Sequence, residues 1–181
     1  GSNIADYLHD LWQRYPDVFQ SIIDTLQDVL PYATDLQTAQ TSELQRSVYL
    51  QLTEQKFKVP GWLLSTGTLR VVAILALLRH PVPPPLIVIE ELENGLDPST
   101  LSLIVREIAR AVNSGSSQVI VTTHSPYLLD LMTIDHLVIV ERDENGQPHF
   151  YRPADEVQLE GWKDHFKLGE LYTMGRLRKS E

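Results

Sequence analysis

The sequence predicts an α/β fold with a parallel sheet core, helices on its flanks and a hairpin at one edge. Two short, branched apolar runs, Leu86 to Ile89 and Val119 to Val121, are separated by a helical segment. A strand, a helix and a second strand in this order usually form a parallel unit. The pair Asn145-Gly146, which follows a third apolar run, is a strong turn signal and predicts the hairpin.

The first segment, residues 1–47, is expected to be mainly helical. Apolar residues recur at helical spacing from Ile4 to Leu30, and Pro16 interrupts them, so we expect two helices or one kinked helix. The opening Gly1-Ser2 resembles the pair left when an expression tag is removed. Residues 31–45 are polar and are expected to form turns.

The segment from residue 48 to 175 is expected to form one lobe. Apolar residues alternate with Tyr, Gln and Thr over residues 48–53, which predicts a half-buried strand, and a loop is expected over 56–62. Residues 69–78 are apolar on nearly every side and predict a helix buried all round, which ends at His80.

Beyond that helix, Leu86 to Ile89 is typical of a central strand buried on both faces. Asp97 is expected to cap the next helix, with Pro98 at its first position. The buried stripe of this helix is predicted to comprise Leu101, Ile104, Val105, Ile108 and Val112. Ser125-Pro126 predicts a short helix through Leu131. A third strand is expected over residues 137–140, with one or two short helices near the C-terminus.

The composition is that of a soluble, cytoplasmic protein. The 181 residues are 43% hydrophobic and 22% charged, with no apolar run long enough to span a bilayer and no cysteine for disulfides or thiolate metal sites. A net charge of -9 argues against a nucleic-acid footprint over the whole chain. The basic tail, residues 176–181, is either solvated or a local DNA contact.

Two adjacent carboxylates, Glu90 and Glu91, directly follow the strand Leu86 to Ile89. The carboxyl end of a parallel strand is where open α/β sheets bind ligands. A Mg²⁺ ion carried with a nucleotide would offset the charge of the first acid, and the second could orient or deprotonate a water. Taken alone, the pair is equally consistent with a strand that ends in solvent.

Two further segments, at His124 and at Ser65, are also consistent with a nucleotide site. His124 follows the next strand, so it is expected at the same sheet edge, where it could donate a hydrogen bond to a terminal phosphate. Ser65 precedes the buried helix as a natural N-cap, and the N-terminus of a helix attracts phosphate. Gly67 removes a side chain where close approach would matter. Each feature alone is also consistent with an ordinary structural role.

In this order, the segments resemble the ABC ATPase superfamily. Leu63 to Arg70 and Glu90 to Pro98 look like the predicted ATPases grouped with RecF, the structural maintenance of chromosomes (SMC) proteins and the overcoming-lysogenization-defect (OLD) nucleases. Phe166 to Tyr172 is similar to the end of RecF-like ATPases. The resemblance covers roughly residues 48–175. It implies the C-terminal portion of a P-loop NTPase head in a protein of DNA repair, chromosome maintenance or phage defence.

The resemblance implies a role for each segment. Leu64 to Thr68 becomes the signature motif, in which Ser65, Thr66, Gly67 and Thr68 reach the ATP of a second copy in a head-to-head dimer. Glu90 falls at the Walker B position that supports Mg²⁺, and Glu91 at the catalytic glutamate. Asn94 to Pro98 matches the D-loop, whose Asp97 would touch the other protomer. His124 matches the switch histidine near the γ-phosphate.

The sequence departs from the superfamily pattern at three points. Glu90 replaces the usual Asp, and Thr66-Gly67-Thr68 replaces Gly-Gly-Gln, which removes one polar contact to the nucleotide. The phosphate loop, Gly-x-x-x-x-Gly-Lys-Ser/Thr, does not occur in the sequence. We therefore expect an N-terminal lobe to supply this Walker A loop, and negligible ATPase activity from these residues alone.

Two other functions remain as alternatives at this stage. A noncatalytic dimerisation lobe would need none of the hydrolytic groups. A metal-dependent nuclease would use Glu90, Glu91, Glu93 and His124 as ligands for divalent ions. A serine hydrolase is excluded, because no Gly-x-Ser-x-Gly surrounds Ser65. DNA could contact the parent protein, and no membrane partner is expected.

Overall fold

The computed structural model describes residues 3–41, 47–155 and 165–177, and the chain divides into two units, Gly1–Val121 and Thr122–Glu181. The helices of the first unit are α1 (Ile4–Arg14), α2 (Pro16–Val29), α3 (Thr66–Arg79) and α4 (Pro98–Asn113). Its strands are β1 (Ala33–Gln40), β2 (Val48–Glu54), β3 (Phe57–Pro60), β4 (Leu86–Ile89) and β5 (Gln118–Val121).

The N-terminal segment forms two helices that pack on an antiparallel sheet. Pro16 is the first residue of α2, so the predicted break is confirmed as a division into two helices. Strands β1, β2 and β3 form a sheet in that order, and β1 and β2 contact these helices. Leu50 and Leu52 of β2 are buried, as the alternation predicts.

Two segments that the sequence suggested were irregular are strands. Residues 31–45 were expected to form turns within a helical segment, yet Ala33–Gln40 pairs with β2. The expected loop over 56–62 contains β3, followed by a 3₁₀ turn at Gly61–Leu63. Both predictions were wrong because antiparallel pairing to β2 organises these residues despite their weak local pattern.

Helix α3 is the centre of the first unit. It packs against α1, α2 and α4, which explains why apolar residues cover nearly all its sides, as predicted. The largest fully buried side chains in this unit are Leu8, Leu11, Ile22, Leu26, Leu36, Leu52, Val72, Leu75, Leu92 and Ile104. Through this packing, the first turn of α3 is held in a fixed place.

Strands β4 and β5 pair in parallel, as predicted, with Ile87 opposite Val119. The prediction that β4 is buried on both faces was wrong. Ile87 is 5% exposed, whereas Leu86 is 48% exposed and Val88 59% exposed. Ile120 of β5 is 47% exposed, so one face of this pair presents apolar side chains to solvent.

Helix α4 begins after Asp97 and packs against α3 and β5. Leu101 and Ile104 of the predicted stripe are buried, and Val105 and Ile108 are half-buried. Val112 is 43% exposed, so its predicted burial was wrong. The stripe is rotated toward Leu103, Glu107 and Ala111, because Glu107 turns inward to meet Arg79.

The second unit contains α5 (Pro126–Asp130), β6 (Ile139–Arg142), β7 (Pro148–Tyr151) and α6 (Leu168–Thr173). Strands β6 and β7 pair antiparallel, which confirms the hairpin, although β6 begins two residues later than predicted. Helix α6 packs on α5. Most of the basic tail, including Arg178 and Lys179, lies outside the described residues. Within the described residues, no helix has the length and apolarity to cross a membrane.

Candidate functional site

Ser65 caps the N-terminus of α3. Its Oγ accepts a hydrogen bond from the Thr68 backbone N–H at 3.0 Å and lies 2.9 Å from the Thr68 hydroxyl. Thr68 is buried, and its hydroxyl contacts Ser65 at the start of the same helix. The cap engages the Thr68 N–H, whereas the N–H groups of the first two residues of a helix have no partner inside the helix and remain available to an anion.

Gly67, in the first turn of α3, meets the loop that follows β4. A Cβ atom built on Gly67 would lie 2.1 Å from the carbonyl oxygen of Gly95, a distance that no side chain tolerates. Gly95 itself has a φ of +75°, in the left-handed region that favours glycine. The two glycines therefore allow the signature turn and the predicted D-loop to pack backbone to backbone.

Glu90 and Glu91 follow β4 at the carboxyl end of the parallel pair, and both are exposed. Glu91 has a φ of 45°, which is rare for a residue with a side chain. Its carbonyl oxygen accepts a hydrogen bond from the Asn94 N–H at 2.9 Å, and its Oε2 lies 3.4 Å from the Asn94 Nδ2. The sharp turn after β4 thus begins at the predicted catalytic residue.

Arg70 connects α3 to this turn and was not among the predicted site residues. Its Nη2 donates hydrogen bonds to the carbonyl oxygens of Glu90 and Glu91, the latter at 2.8 Å. A contact between residues 20 and 21 positions apart has no local pattern that predicts it. The one available signal was an arginine in the second turn of a helix that is otherwise mostly apolar.

Asp97 is the N-cap of α4, as predicted. Its carboxylate accepts hydrogen bonds from the backbone N–H and hydroxyl groups of Ser99 and Thr100. The hydroxyl of Ser99, then that of Thr100, holds the pKa of the Asp97 carboxyl well below its usual range. The carboxylate is therefore charged throughout the physiological pH range.

His124 belongs to the second unit, three residues beyond the end of β5, and is exposed. The turn around it is held by Thr123, whose Oγ1 accepts a hydrogen bond from the Ser125 N–H at 2.9 Å. Ser125 in turn caps α5. The proximity of His124 to Glu91 remains a prediction from the sequence.

Ser65 to Thr68, Glu90, Glu91 and Asp97 all lie in the first unit, on the start of α3 and the loop after β4. Within the described part of the chain, no group of three or more His, Cys, Asp or Glu side chains is arranged to hold a metal ion. The arrangement offers two strand-end carboxylates and an anion-attracting helix terminus.

Comparison with known families gives this geometry a context. Residues 1–130 match the family described as an AAA domain, putative AbiEii toxin of a type IV toxin–antitoxin system. The chain belongs to this AAA-domain family. The match covers Ser65 to Thr68 at the start of α3 and Glu90 to Asp97 in the loop after β4.

One curated relative of this AAA domain is an OLD nuclease from Thermus scotoductus. It is 28% identical over 135 residues, which cover 72% of this chain and 26% of the nuclease. The AAA domain thus spans about a quarter of the length of the relative it matches.

Solved structures show the fold of the AAA domain. An SMC ATPase, determined in work on ATP-driven dimerization and DNA-stimulated activation, superposes with a TM-score of 0.61 at 12% identity over 96% of this chain and 99% of that one. An Smc head domain from Pyrococcus yayanosii gives a TM-score of 0.61 at 14% identity over 80% of this chain and 28% of that one. The fold is that of an ABC-type P-loop NTPase head, as the sequence predicted.

Proposed function

We propose that this chain is the C-terminal half of a head that binds and hydrolyses ATP and dimerises around it. The observation that carries the proposal is the packing of α3's first turn on the loop that follows β4. There Gly67 meets Gly95, and Arg70 binds the carbonyls of Glu90 and Glu91. This contact supports the proposal, because the groups assigned to a partner's nucleotide would lie beside the groups assigned to the chain's own nucleotide.

Glu90 and Glu91 supply the acidic side of the proposed nucleotide site. Mg²⁺ in nucleotide enzymes is held by one or two carboxylates, with phosphate oxygens and water as the remaining ligands. Glu90 and Glu91 are exposed, and among the described residues no third His, Cys, Asp or Glu is arranged with them to hold a metal ion, which fits that coordination. Glu90 would support Mg²⁺, and Glu91 would accept a hydrogen bond from the attacking water and polarise it.

The start of α3 would act on the nucleotide of a second copy of the chain. Its first N–H groups would meet the γ-phosphate, with the hydroxyls of Ser65 and Thr66 beside them. Trp62 and Leu63, just before this turn, are 70% and 69% exposed. Apolar side chains beside the signature suit a protein interface at this point, which supports the head-to-head dimer.

Two residues complete the proposed site. His124 would donate a hydrogen bond to the γ-phosphate and respond to its loss after hydrolysis. Asp97, whose carboxylate already caps α4, would touch the second copy through the outer side of the D-loop. Residues 48–175 would form the catalytic lobe, with 1–47 as an N-terminal extension to it and 176–181 as a tail.

The Walker A loop would come from an N-terminal lobe of the parent protein. The open apolar face of β4 and β5 supports this, because Leu86, Val88 and Ile120 present an uncovered sheet face. Without a phosphate loop, the 181 residues alone hold too few groups for the β- and γ-phosphates. We therefore expect negligible ATP turnover from this chain by itself.

The relatives suggest the setting of the parent protein. They include an OLD nuclease and SMC ATPases, and work on the latter concerns activation by DNA. We propose a cytoplasmic ATPase that serves DNA repair, chromosome maintenance or phage defence and meets DNA through parts of the parent outside this chain. The net charge of -9 is consistent with DNA contacts elsewhere.

The test is Glu91→Gln in the full-length protein. The amide keeps the size of the side chain but cannot polarise water, so phosphate release should fall about 100-fold or more. ATP-induced dimerisation, measured by light scattering, should persist or increase. Glu144→Gln, in the exposed β6–β7 turn, is the matched control. Undiminished phosphate release with Glu91→Gln would rule out the assignment.

A further inference from the structure

The guanidinium of Arg70 binds main-chain oxygens rather than a carboxylate. It projects from the second turn of α3 and donates from one nitrogen, Nη2, to two successive carbonyl oxygens, those of Glu90 and Glu91. Hydrogen bonds from a charged donor are roughly twice as strong as neutral ones. The contact fixes main-chain atoms, so it holds the path of the backbone at the point where β4 ends.

The backbone at Glu91 has a conformation that must be stabilised by contacts. Glu91 has a φ of 45°, a left-handed conformation that is unfavourable for a residue with a Cβ. Its carbonyl oxygen receives two donors, Nη2 of Arg70 at 2.8 Å and the Asn94 N–H at 2.9 Å. Such conformations persist only when the surroundings over-determine them. Arg70 and Asn94 supply this restraint, because both bind the Glu91 carbonyl oxygen.

We infer that Arg70 is a positioning residue for Glu91, which acts by locking the turn that aims the Glu91 carboxylate. This inference rests on the proposed catalytic role of Glu91. The carboxylate of a left-handed residue leaves the chain in a different direction from that of an extended one, so releasing the turn would misdirect it. A misplacement of about 1 Å can cost a reaction about 100-fold.

The same contact joins the two halves of the dimeric mechanism. The first turn of α3 would bind the partner's nucleotide, and Gly67 and Arg70 fasten that turn to the D-loop and to Glu91. A shift of α3 on engaging the partner would therefore move the chain's own glutamate.

The first test uses the 181-residue chain and needs no nucleotide. In Arg70→Met, the backbone carbon shifts and the HN–Hα coupling of Glu91 should leave the left-handed range, and the Asn94 amide should exchange about tenfold faster. Arg106→Met, on the exposed side of α4, should change neither. Arg70→Lys, which keeps one charged donor, should give intermediate values and replaces Arg70→Met if that variant does not fold. Unchanged Glu91 coupling and Asn94 exchange in the folded Arg70 variant would overturn the inference.

The second test uses the full-length protein. Arg70→Met should lower kcat about tenfold or more while the KM for ATP changes less than about threefold, because no contact to the nucleotide is lost. Arg70→Lys should restore part of kcat. If Glu91→Gln abolishes turnover but Arg70→Met leaves kcat intact, the positioning role is wrong. If Glu91→Gln itself retains turnover, the proposed function fails, while the NMR result still decides whether Arg70 holds the turn.

Discussion

Asp97 is both the last residue of the loop that follows β4 and the N-cap of α4. Its carboxylate accepts four hydrogen bonds, from the N–H and hydroxyl groups of Ser99 and Thr100. A capping carboxylate also interacts favourably with the positive end of the helix dipole. The residue is therefore important for stability whatever its contact with a second copy.

Replacing Asp97 with Ala should lower the free energy of unfolding by about 1 kcal/mol, since the cap is lost. Asp97→Asn should cost less at neutral pH, because Asn also caps helices. The folded pKa of Asp97 is lowered, so its charge stabilises the fold above the ordinary Asp pKa of 3.8, and this stabilisation is lost progressively as the pH falls below that value. Urea unfolding from pH 7 to 3 should show the wild type losing stability relative to Asp97→Asn. Parallel curves would contradict this account of the cap.

The residues that the sequence predicted correctly depend on local chemistry. Ser65 and Asp97 were identifiable as caps, because an N-cap is defined by the few residues that follow it. Arg70 was not identifiable, because its partners are 20 and 21 residues away. The left-handed backbone of Glu91 was equally hidden, since neither Gly nor Asn marks the position.

At the scale of elements, the helices followed their periodicity and two strands did not. Ala33 and Leu36 of β1 are both buried although they are three residues apart, because the pairing register shifts between Ala33 and Asp35. This irregularity removes the two-residue alternation that identifies a strand. The β2–β3 turn contains Gln55 at a φ of 52°, where the sequence shows no glycine or asparagine to indicate a hairpin.

A buried ion pair fastens three of the helices. Glu107 of α4, only 7% exposed, accepts hydrogen bonds from Nε and Nη2 of Arg79 on α3. Arg79 also donates to the carbonyl oxygen of Ser21 on α2, and Arg110 pairs with the other Glu107 oxygen. The network therefore connects α3, which carries the predicted signature, to α2 and α4.

Replacing Glu107 with Ala should lower the free energy of unfolding by about 3–5 kcal/mol, because Arg79 keeps its charge in a largely buried place. The matched control is Asp10→Ala, which breaks the exposed pair with Arg14 and should cost about 1 kcal/mol or less. Chemical denaturation of both variants measures the difference. Equal losses would show that the buried network contributes no more than a surface pair.

At the scale of the whole molecule, the exposed sheet face of β4 and β5 is where we propose that an N-terminal lobe packs. A branched run such as Leu86 to Ile89 predicts burial on both sides, but only Ile87 is buried here. The sequence pattern fits a strand that is covered on both faces, whereas the structure shows only one covered face. Both faces of β4 would be buried, as the sequence predicts, if the proposed N-terminal lobe covered Leu86, Val88 and Ile120.

Val88→Ala tests this directly, with Ile87→Ala as its matched control on the opposite face. In the 181-residue chain, Val88 is 59% exposed, so its truncation should change the free energy of unfolding by about 0.5 kcal/mol or less. Ile87 is 5% exposed, so Ile87→Ala should lower the free energy of unfolding by about 2–5 kcal/mol in both proteins. In the full-length protein, the Val88 variant should lose about 1 kcal/mol or more, because the lobe buries that methyl surface. A Val88 effect that stays near zero in both proteins would mean that the lobe packs elsewhere and that the open face has another purpose.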